Sequence, residues 1–302
     1  MAGRKISISR IRHLYPFRSC FLNIRGLNYH YLDEGAGEPI VMIHGNPTWS
    51  FYFRQMIREL SPAYRVIAPD HMGCGLSDKP DADEYDFRLQ SRVEDLEYLL
   101  DHLGIKEKIT LMVHDWGGMI GMIYALRHPE RIARLIVTNT AAFFPPGKKK
   151  LPLRLWLIRN ILPFAVPAVL GLNLFARAAL QMASCKGLSP DIKQGLITPY
   201  NNPRNRLATL KFVQDIPLHP GDPSYDLVRW ADENLASLAS VPMLICWGGR
   251  DFVFDADYFA EWTRRFPHAE SHFFPDAGHY LLEDKAAELT VLVKDFLKKH
   301  AI

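Results

Sequence analysis

In the stretch Val113-His114-Asp115-Trp116-Gly117-Gly118 a carboxylate stands between two apolar runs of different period. ITLMVH (109–114) is a continuous apolar run, as a buried strand would be, and MIGMIYALRH (119–128) reads as a helix. A strand, a sharp turn and a helix make the setting of a nucleophile elbow, a strained turn that holds a reactive side chain out. Small residues flank the nucleophile in such turns; Gly117 fills the second small position, whereas Val113 departs from the first. A carboxylate here would sit at a helix N-terminus, where the dipole favours the ionised form. An Asp nucleophile suits displacement at an alkyl carbon or a strained ring and gives a covalent ester. Asp115 as a plain helix N-cap is the competing reading.

Such a nucleophile needs a base to activate water against the ester. Among the 12 histidines, His279 stands out because it follows the strand-like run ESHFF (270–274) and precedes a helix with Leu281, Leu282, Leu289 and Leu292 on one face. A base in turn needs an acid to orient its imidazole. Asp251 stands just past the apolar run PMLICW (242–247), with Asp255 as the nearby competitor. Asp251 is favoured because it is nearer the strand end, where ligands gather in open sheets of this kind. After RLIVTN (134–139) the chain offers Asn139-Thr140 and no carboxylate, so that position for the acid looks closed.

His44-Gly45-Asn46-Pro47 ends the run PIVMIH (39–44). The backbone N–H groups of Asn46 and Trp116 would form an oxyanion hole. Their side chains, an amide and an indole N–H, are neutral donors able to hold a departing halide. A turn-forming Asn and a core Trp are the plainer readings.

The elements that must position these residues follow from hydrophobic period. Residues 21–33 read as a hairpin around Arg25-Gly26; the runs at 39–44, 65–70, 109–114, 134–139 and 242–247 read as buried strands. Between them lie amphipathic stretches, best seen at 88–103. The alternation predicts an α/β fold with a mostly parallel central sheet and helices on both faces. It lapses between about Phe143 and Leu238, after Pro145-Pro146-Gly147, where a Pro-interrupted helical pattern predicts an inserted cap: residues 1–142 and 239–302 form the core and 143–238 the cap.

Bulk properties narrow the partners. The chain has 302 residues, 48% hydrophobic and 23% charged, enough for a large core. A formal charge of +3 does not imply nucleic acid, and Arg4, Lys5, Arg10, Arg12 and Arg18 read as a solvated leader. Cys20, Cys74, Cys185 and Cys246 are scattered without metal-ligand spacing, which points to a reducing, cytoplasmic compartment and no structural metal. No apolar h-region follows the basic N-terminus, so no signal peptide is expected. Residues 161–176, ILPFAVPAVLGLNLFA, carry no charge but fall short of the roughly 20 residues of a spanning helix and are broken by Pro163, Pro167 and Gly171. A buried or interfacial helical hairpin is expected there. Self-association or a peripheral membrane or partner contact through 151–180 stays open.

Taken together, HGNPTWSFYFR (44–54), PDHMGCGLSDKP (69–80), VHDWGG (113–118), WGGRD (247–251) and DAGHYLLED (276–284) resemble the haloalkane dehalogenases, within the α/β-hydrolase fold. The resemblance implies Asp115 as nucleophile, His279 as base, Asp251 as acid and Asn46 with Trp116 as the halide-binding pair, an arrangement like that of the third dehalogenase subfamily. It implies no cofactor and no metal. The substrate would be a small haloalkane, split to alcohol and halide. The chain is similar as well to the β-lactone decarboxylases of bacterial long-chain olefin biosynthesis, and the apolar cap at 151–180 suits long alkyl chains. Epoxide hydrolase chemistry would call on Tyr200 or Tyr225 in the cap, neither in a distinctive setting. A non-catalytic scaffold would have lost the base or the acid, and both are present.

Overall fold

The computed structural model describes residues 6–147 and 149–302; of the expected basic leader, Arg4 and Lys5 lie outside the described residues, and Arg10, Arg12 and Arg18 are exposed. Among the described residues eight strands form one sheet: β1 (Cys20–Ile24), β2 (Leu27–Glu34), β3 (Pro39–Ile43), β4 (Arg65–Pro69), β5 (Ile109–Asp115), β6 (Ile132–Thr140), β7 (Met243–Gly248) and β8 (Glu270–Phe274). Their order is β1-β2-β4-β3-β5-β6-β7-β8. β2 pairs antiparallel with both β1 and β4, and every other pairing is parallel.

Side-chain alternation divides the core in two. Val41, Ile43, Leu111, Val113, Leu135, Val137 and Ile245 pack on one face, whereas Ile40, Met42, Met112, Ile136 and Leu244 pack on the other. Because both faces are covered, the central strands carry runs of consecutive apolar residues rather than alternate ones. The helices preceding β6 are α1 (Arg54–Leu60), α2 (Leu89–His102) and α3 (Trp116–Arg127). α2 buries Leu89, Val93, Leu96, Leu99 and Leu100, the stripe expected at 88–103.

Between β6 and β7 the ordered elements are helical: α4 (Leu153–Asn160), α5 (Leu162–Ala165), a π-helical stretch Val166–Gly171, α6 (Leu174–Met182), α7 (Pro190–Ile197), α8 (Leu207–Gln214) and α9 (Tyr225–Asn234), with short 3-10 turns among the described residues. Among the described residues no single helix is long and apolar enough to cross a membrane; α4 and the helical stretch 162–171 reach that length and apolarity only together, and they meet at a bend of 102°. The uncharged run 161–176 is only partly buried: Ala165, Ala168 and Val169 are inside, Leu162, Val166 and Leu172 are exposed.

After β7 come α10 (Ala256–Arg265), α11 (Leu281–Asp284) and α12 (Ala286–Lys299). The sequence suggests one C-terminal helix; the chain breaks it at Lys285. The break is held by the buried Asp284 carboxylate, which accepts from Ser184 Oγ (2.6 Å), Lys186 N (3.1 Å), Cys185 N (2.9 Å) and Gly278 N (2.7 Å). These bonds tie the start of the C-terminal helices to the helical insertion and to the residue before His279.

Candidate active site

Five adjacent strands end at one edge of the sheet, and each delivers one residue there. Asn46 follows β3, Asp115 ends β5, Asn139 lies in β6, Asp251 follows β7 and His279 follows β8. Carboxyl ends of parallel strands are where an open α/β sheet leaves its crevice.

Asp115 sits at φ 51°, ψ −128°, a conformation an L-residue adopts only when the surroundings enforce it. Three close packings enforce it. A Cβ on Gly117 would overlap the Ile43 carbonyl, a Cβ on Gly118 would overlap Thr140 Oγ1, and Thr140 Oγ1 donates to the Asp115 carbonyl. The departure at Val113 is absorbed one turn into the helix. A Cβ added at Gly121 would stand 2.7 Å from Val113 Cγ1, so Gly121 makes the room that a glycine at 113 would otherwise give.

The carboxylate is buried but well supplied with donors. Asn46 N–H donates to Asp115 Oδ1 at 2.6 Å, and a bond from the Trp116 backbone adds to it. The two amides expected to line an oxyanion hole thus hold the carboxylate itself. Burial still dominates and pushes the Asp115 carboxyl above its ordinary value, against His279 and these amides. The Trp116 amide at the helix N-terminus favours the anion, in the direction the sequence suggested, but desolvation is the larger effect.

His279 Nδ1 meets Asp251 Oδ2 at 2.7 Å, and its Nε2 faces Asp115 Oδ2 at 3.7 Å. Burial disfavours the imidazolium, but Asp251 and then Asp115 more than offset it, and the His279 pKa is raised. Asp251 is the carboxylate at the imidazole. Its Oδ1 accepts from Val253 N (2.7 Å) and Phe254 N (3.1 Å). Asp255 instead caps α10 and pairs with Lys149.

Two residues that the sequence reading passed over complete the set. Asn139, at φ 33°, donates from Nδ2 to Asp251 Oδ2 and to the Gly248 carbonyl, both at 3.0 Å. The position that offers no acid thus holds the acid of the next strand. His114 places its ring 4.7 Å from that of His279 and is kept neutral by burial. The only sequence signal for either was adjacency to a strand end.

The loop bearing Asn46 is braced from β4. Burial pushes His44 down to about 4, so its ring is neutral: Nδ1 donates to the Gly45 carbonyl (2.7 Å) and Nε2 accepts from His71 N (3.0 Å). His71 Nε2 returns to the His44 carbonyl at 2.8 Å. Asn46 Nδ2 donates to the Thr209 carbonyl of α8 at 3.0 Å, which fixes the amide's orientation and leaves its second N–H. The Trp116 indole packs on Phe212 and lines the cavity above Asp115.

That cavity measures about 980 Å³, near the top of the range for small-molecule sites. Asn46, Asp115, Trp116 and His279 line it together with Leu155, Phe164, Val169, Phe175, Val213 and other apolar side chains of the helical insertion. Neither Tyr200 nor Tyr225 lines it. Tyr200 donates to the Thr48 carbonyl and Tyr225 packs on Phe144, so the tyrosines that an epoxide reading would need are engaged elsewhere.

With the geometry in place, comparison with known proteins gives a consistent picture. A family model described as alpha/beta hydrolase fold matches residues 38–286. The chain is 50% identical to the cis-3-alkyl-4-alkyloxetan-2-one decarboxylase of Shewanella oneidensis, covering 94% of this chain and 89% of that one. It is 41% identical to the protein of the same name from Xanthomonas campestris, covering 95% and 98%. A haloalkane dehalogenase of Mycolicibacterium paratuberculosis is 33% identical, with 93% of each chain covered. Among solved structures, the haloalkane dehalogenase DbeA from Bradyrhizobium elkani matches in fold with a TM-score of 0.84 at 23% identity, over 94% of this chain and 98% of that one. The chain, with its strand order and its site at the carboxyl edge, belongs to the α/β-hydrolase family.

Proposed function

We propose that the chain decarboxylates cis-3,4-dialkyl oxetan-2-ones, which are β-lactones, to cis-alkenes and carbon dioxide. The observation that carries the reading is 50% identity across 94% of this chain to a decarboxylase of that class, against 33% to a haloalkane dehalogenase. The wide apolar cavity over Asp115 suits two long alkyl substituents on one small polar ring.

The chemistry follows from the carboxylate and its donors. Asp115 Oδ2 attacks ring carbon C4 from the face opposite the ring oxygen. A C4–O ester bond to Asp115 forms, the ring C4–O bond breaks, and its electron pair stays on the released carboxylate. The Asn46 amide and the Trp116 indole donate to that developing anion, the task a halide would otherwise set them. The bond from C3 to the carboxylate then breaks as carbon dioxide leaves. Its electrons form the C3–C4 double bond, and Asp115 departs with the ester's C4–O pair. Substrate atoms are all accounted for in alkene and carbon dioxide, and no water is consumed. Inversion at C4 followed by anti elimination keeps cis substituents cis. The imidazolium of His279, which Asp251 favours, steadies the departing Asp115 carboxylate.

Haloalkane hydrolysis, the first choice from the sequence, keeps support at the level of the family and through the Asn46–Trp116 pair. In that reaction a neutral His279 activates water against the Asp115 ester. Turnover in ¹⁸O-water separates the two. Lactone decarboxylation leaves Asp115 unlabelled, and ester hydrolysis places ¹⁸O in its carboxylate. The primary assay is release of cis-alkene from a long-chain cis-dialkyl oxetanone, followed by gas chromatography. Faster turnover of 1-iodohexane than of the lactone, with label in the Asp115 peptide, would reverse the assignment.

A further inference from the structure

The contacting elements α4 and 162–171 of the helical insertion leave large apolar side chains facing outward. Leu153, Trp156, Leu162, Phe164, Val166 and Leu172 are all at least 42% exposed, although each is a residue type that ordinarily goes inside. An exposed apolar patch of this extent marks an interaction site. Three features identify what covers it.

The first is charge. Residues 131–190 contain no Asp or Glu. Lys149 and Arg159 are paired with acids from elsewhere, Asp255 and Asp257 for the first and Asp222 for the second. Lys150, Arg154, Arg177 and Lys186 are exposed and make no ion pair among the described residues. Within 150–182 every exposed charge is positive (Lys150, Arg154 and Arg177), so this face repels its own copy across a two-fold axis and fits an anionic surface. The second is shape. Neither α4 nor the stretch 162–171 is long enough alone to cross a bilayer, and the two meet at a bend of 102°, a form that suits a helix pair lying in the headgroup region. The third is continuity with the site. Leu153, Arg154, Trp156, Phe164, Leu174 and Met182 are exposed and also line the reaction cavity, so the cavity mouth opens within the patch.

We propose that the face formed by α4, the stretch 162–171 and α6 docks on an anionic lipid bilayer, and that the reaction cavity opens onto that surface. Long-chain substrate then enters, and alkene leaves, through the lipid without crossing water. The docking stands independently of the substrate; its use as a route for a dialkyl lactone rests on the function proposed above.

The test uses the full chain and vesicles without substrate. The chain should float with vesicles of equal parts phosphatidylcholine and phosphatidylglycerol, bind weakly to phosphatidylcholine alone, and be released at about 1 M salt, where screening is nearly complete. Leu162→Glu with Leu172→Glu, at exposed positions outside the cavity, should lower the bound fraction about tenfold or more. Arg177→Glu with Lys186→Glu should remove the preference for the anionic vesicles. Both double variants should turn over a short-chain, water-soluble lactone at the unmutated rate. In the unmutated chain, brominated lipid should quench a component of the tryptophan emission that is missing from Trp156→Phe. No vesicle binding, or binding indifferent to Leu162 and Leu172, overturns the proposal. So does a dimer, or a complex with a partner protein, that the Leu162→Glu/Leu172→Glu variant abolishes while vesicles are ignored. Intact vesicle binding with no alkene from the lactone overturns the substrate reading and supports the docking.

Discussion

Asn139 Nδ2 lies 3.0 Å from Asp251 Oδ2, the same oxygen that meets His279 Nδ1 at 2.7 Å. One carboxylate oxygen thus serves two donors from neighbouring strands, and its orientation depends on both. Replacing Asn139 with Ala removes a hydrogen bond to a charged group, a change of about 1.5–3 kcal/mol. The expected outcome is a fall in kcat of roughly ten- to a hundredfold with little change in KM, together with a displaced alkaline limb of the pH profile. Kinetics within twofold of the unmutated protein would show that Val253 and Phe254 alone orient Asp251.

The ionisation of Asp115 and His279 gives a second prediction. Burial raises Asp115 above 3.8, so the attacking carboxylate is lost as pH falls through a value above that of a free side chain. For His279, burial lowers the pKa, but Asp251 and Asp115 outweigh it, and the value lies above 6.5. Lactone decarboxylation, which uses the imidazolium, should decline as pH rises through that raised value. Ester hydrolysis after attack on 1-iodohexane, which needs the neutral base, should climb through it. The same shift adds stability that is complete below about 6.5 and lost as pH rises through the folded value. Melting curves of the unmutated chain and of His279→Gln should draw together at alkaline pH. A lactone rate that rises steadily into alkali would remove the charged His279 from the mechanism.

Gly121 and Val113 should behave as a coupled pair. Gly121→Ala sets a methyl 2.7 Å from Val113 Cγ1 and 2.9 Å from Ile43 Cδ1. Overpacking of that kind costs about 1–3 kcal/mol. In a Val113→Ala background the clash with Cγ1 disappears, so the cost of Gly121→Ala should shrink. Urea denaturation of the four proteins in the cycle measures the coupling. Additive effects would mean that Ile43, not Val113, sets the limit.

Asp284 is expected to matter beyond its own helix. Its carboxylate holds Gly278 N–H at 2.7 Å, immediately before His279. Asp284→Ala leaves buried N–H groups without an acceptor, at about 1–3 kcal/mol for each unsatisfied group. It should lower both the melting temperature and kcat. Asp284→Asn keeps the shape but replaces one acceptor oxygen with a donor, and should fall between the two. Unchanged kcat in Asp284→Ala would show that the His279 loop is held by other contacts, such as Tyr280 N–H on the Ala183 carbonyl.

The order and type of the core elements were legible in the sequence because strands buried on both faces carry consecutive apolar residues, and α2 shows its stripe at helical period. Asp115, His279 and Asn46 were legible too, since each stands beside an apolar run whose end marks the edge of a sheet. The sequence by itself favoured Asp251 over Asp255 by nearness to a strand end, and only the fold showed Asp251 at the imidazole and Asp255 turned to cap α10. Period and spacing describe neighbours along one chain segment, so bonds between segments escaped them: Asn139 to Asp251, Asp284 to Gly278, Asn46 to Thr209. The ionisation of Asp115 escaped for the same reason. A helix N-terminus can be read from sequence, but the desolvation that outweighs it is set by everything packed around the carboxylate. The cavity and the outward apolar face of 153–172 belong to tertiary structure as well, because an apolar helix does not announce which side it will bury.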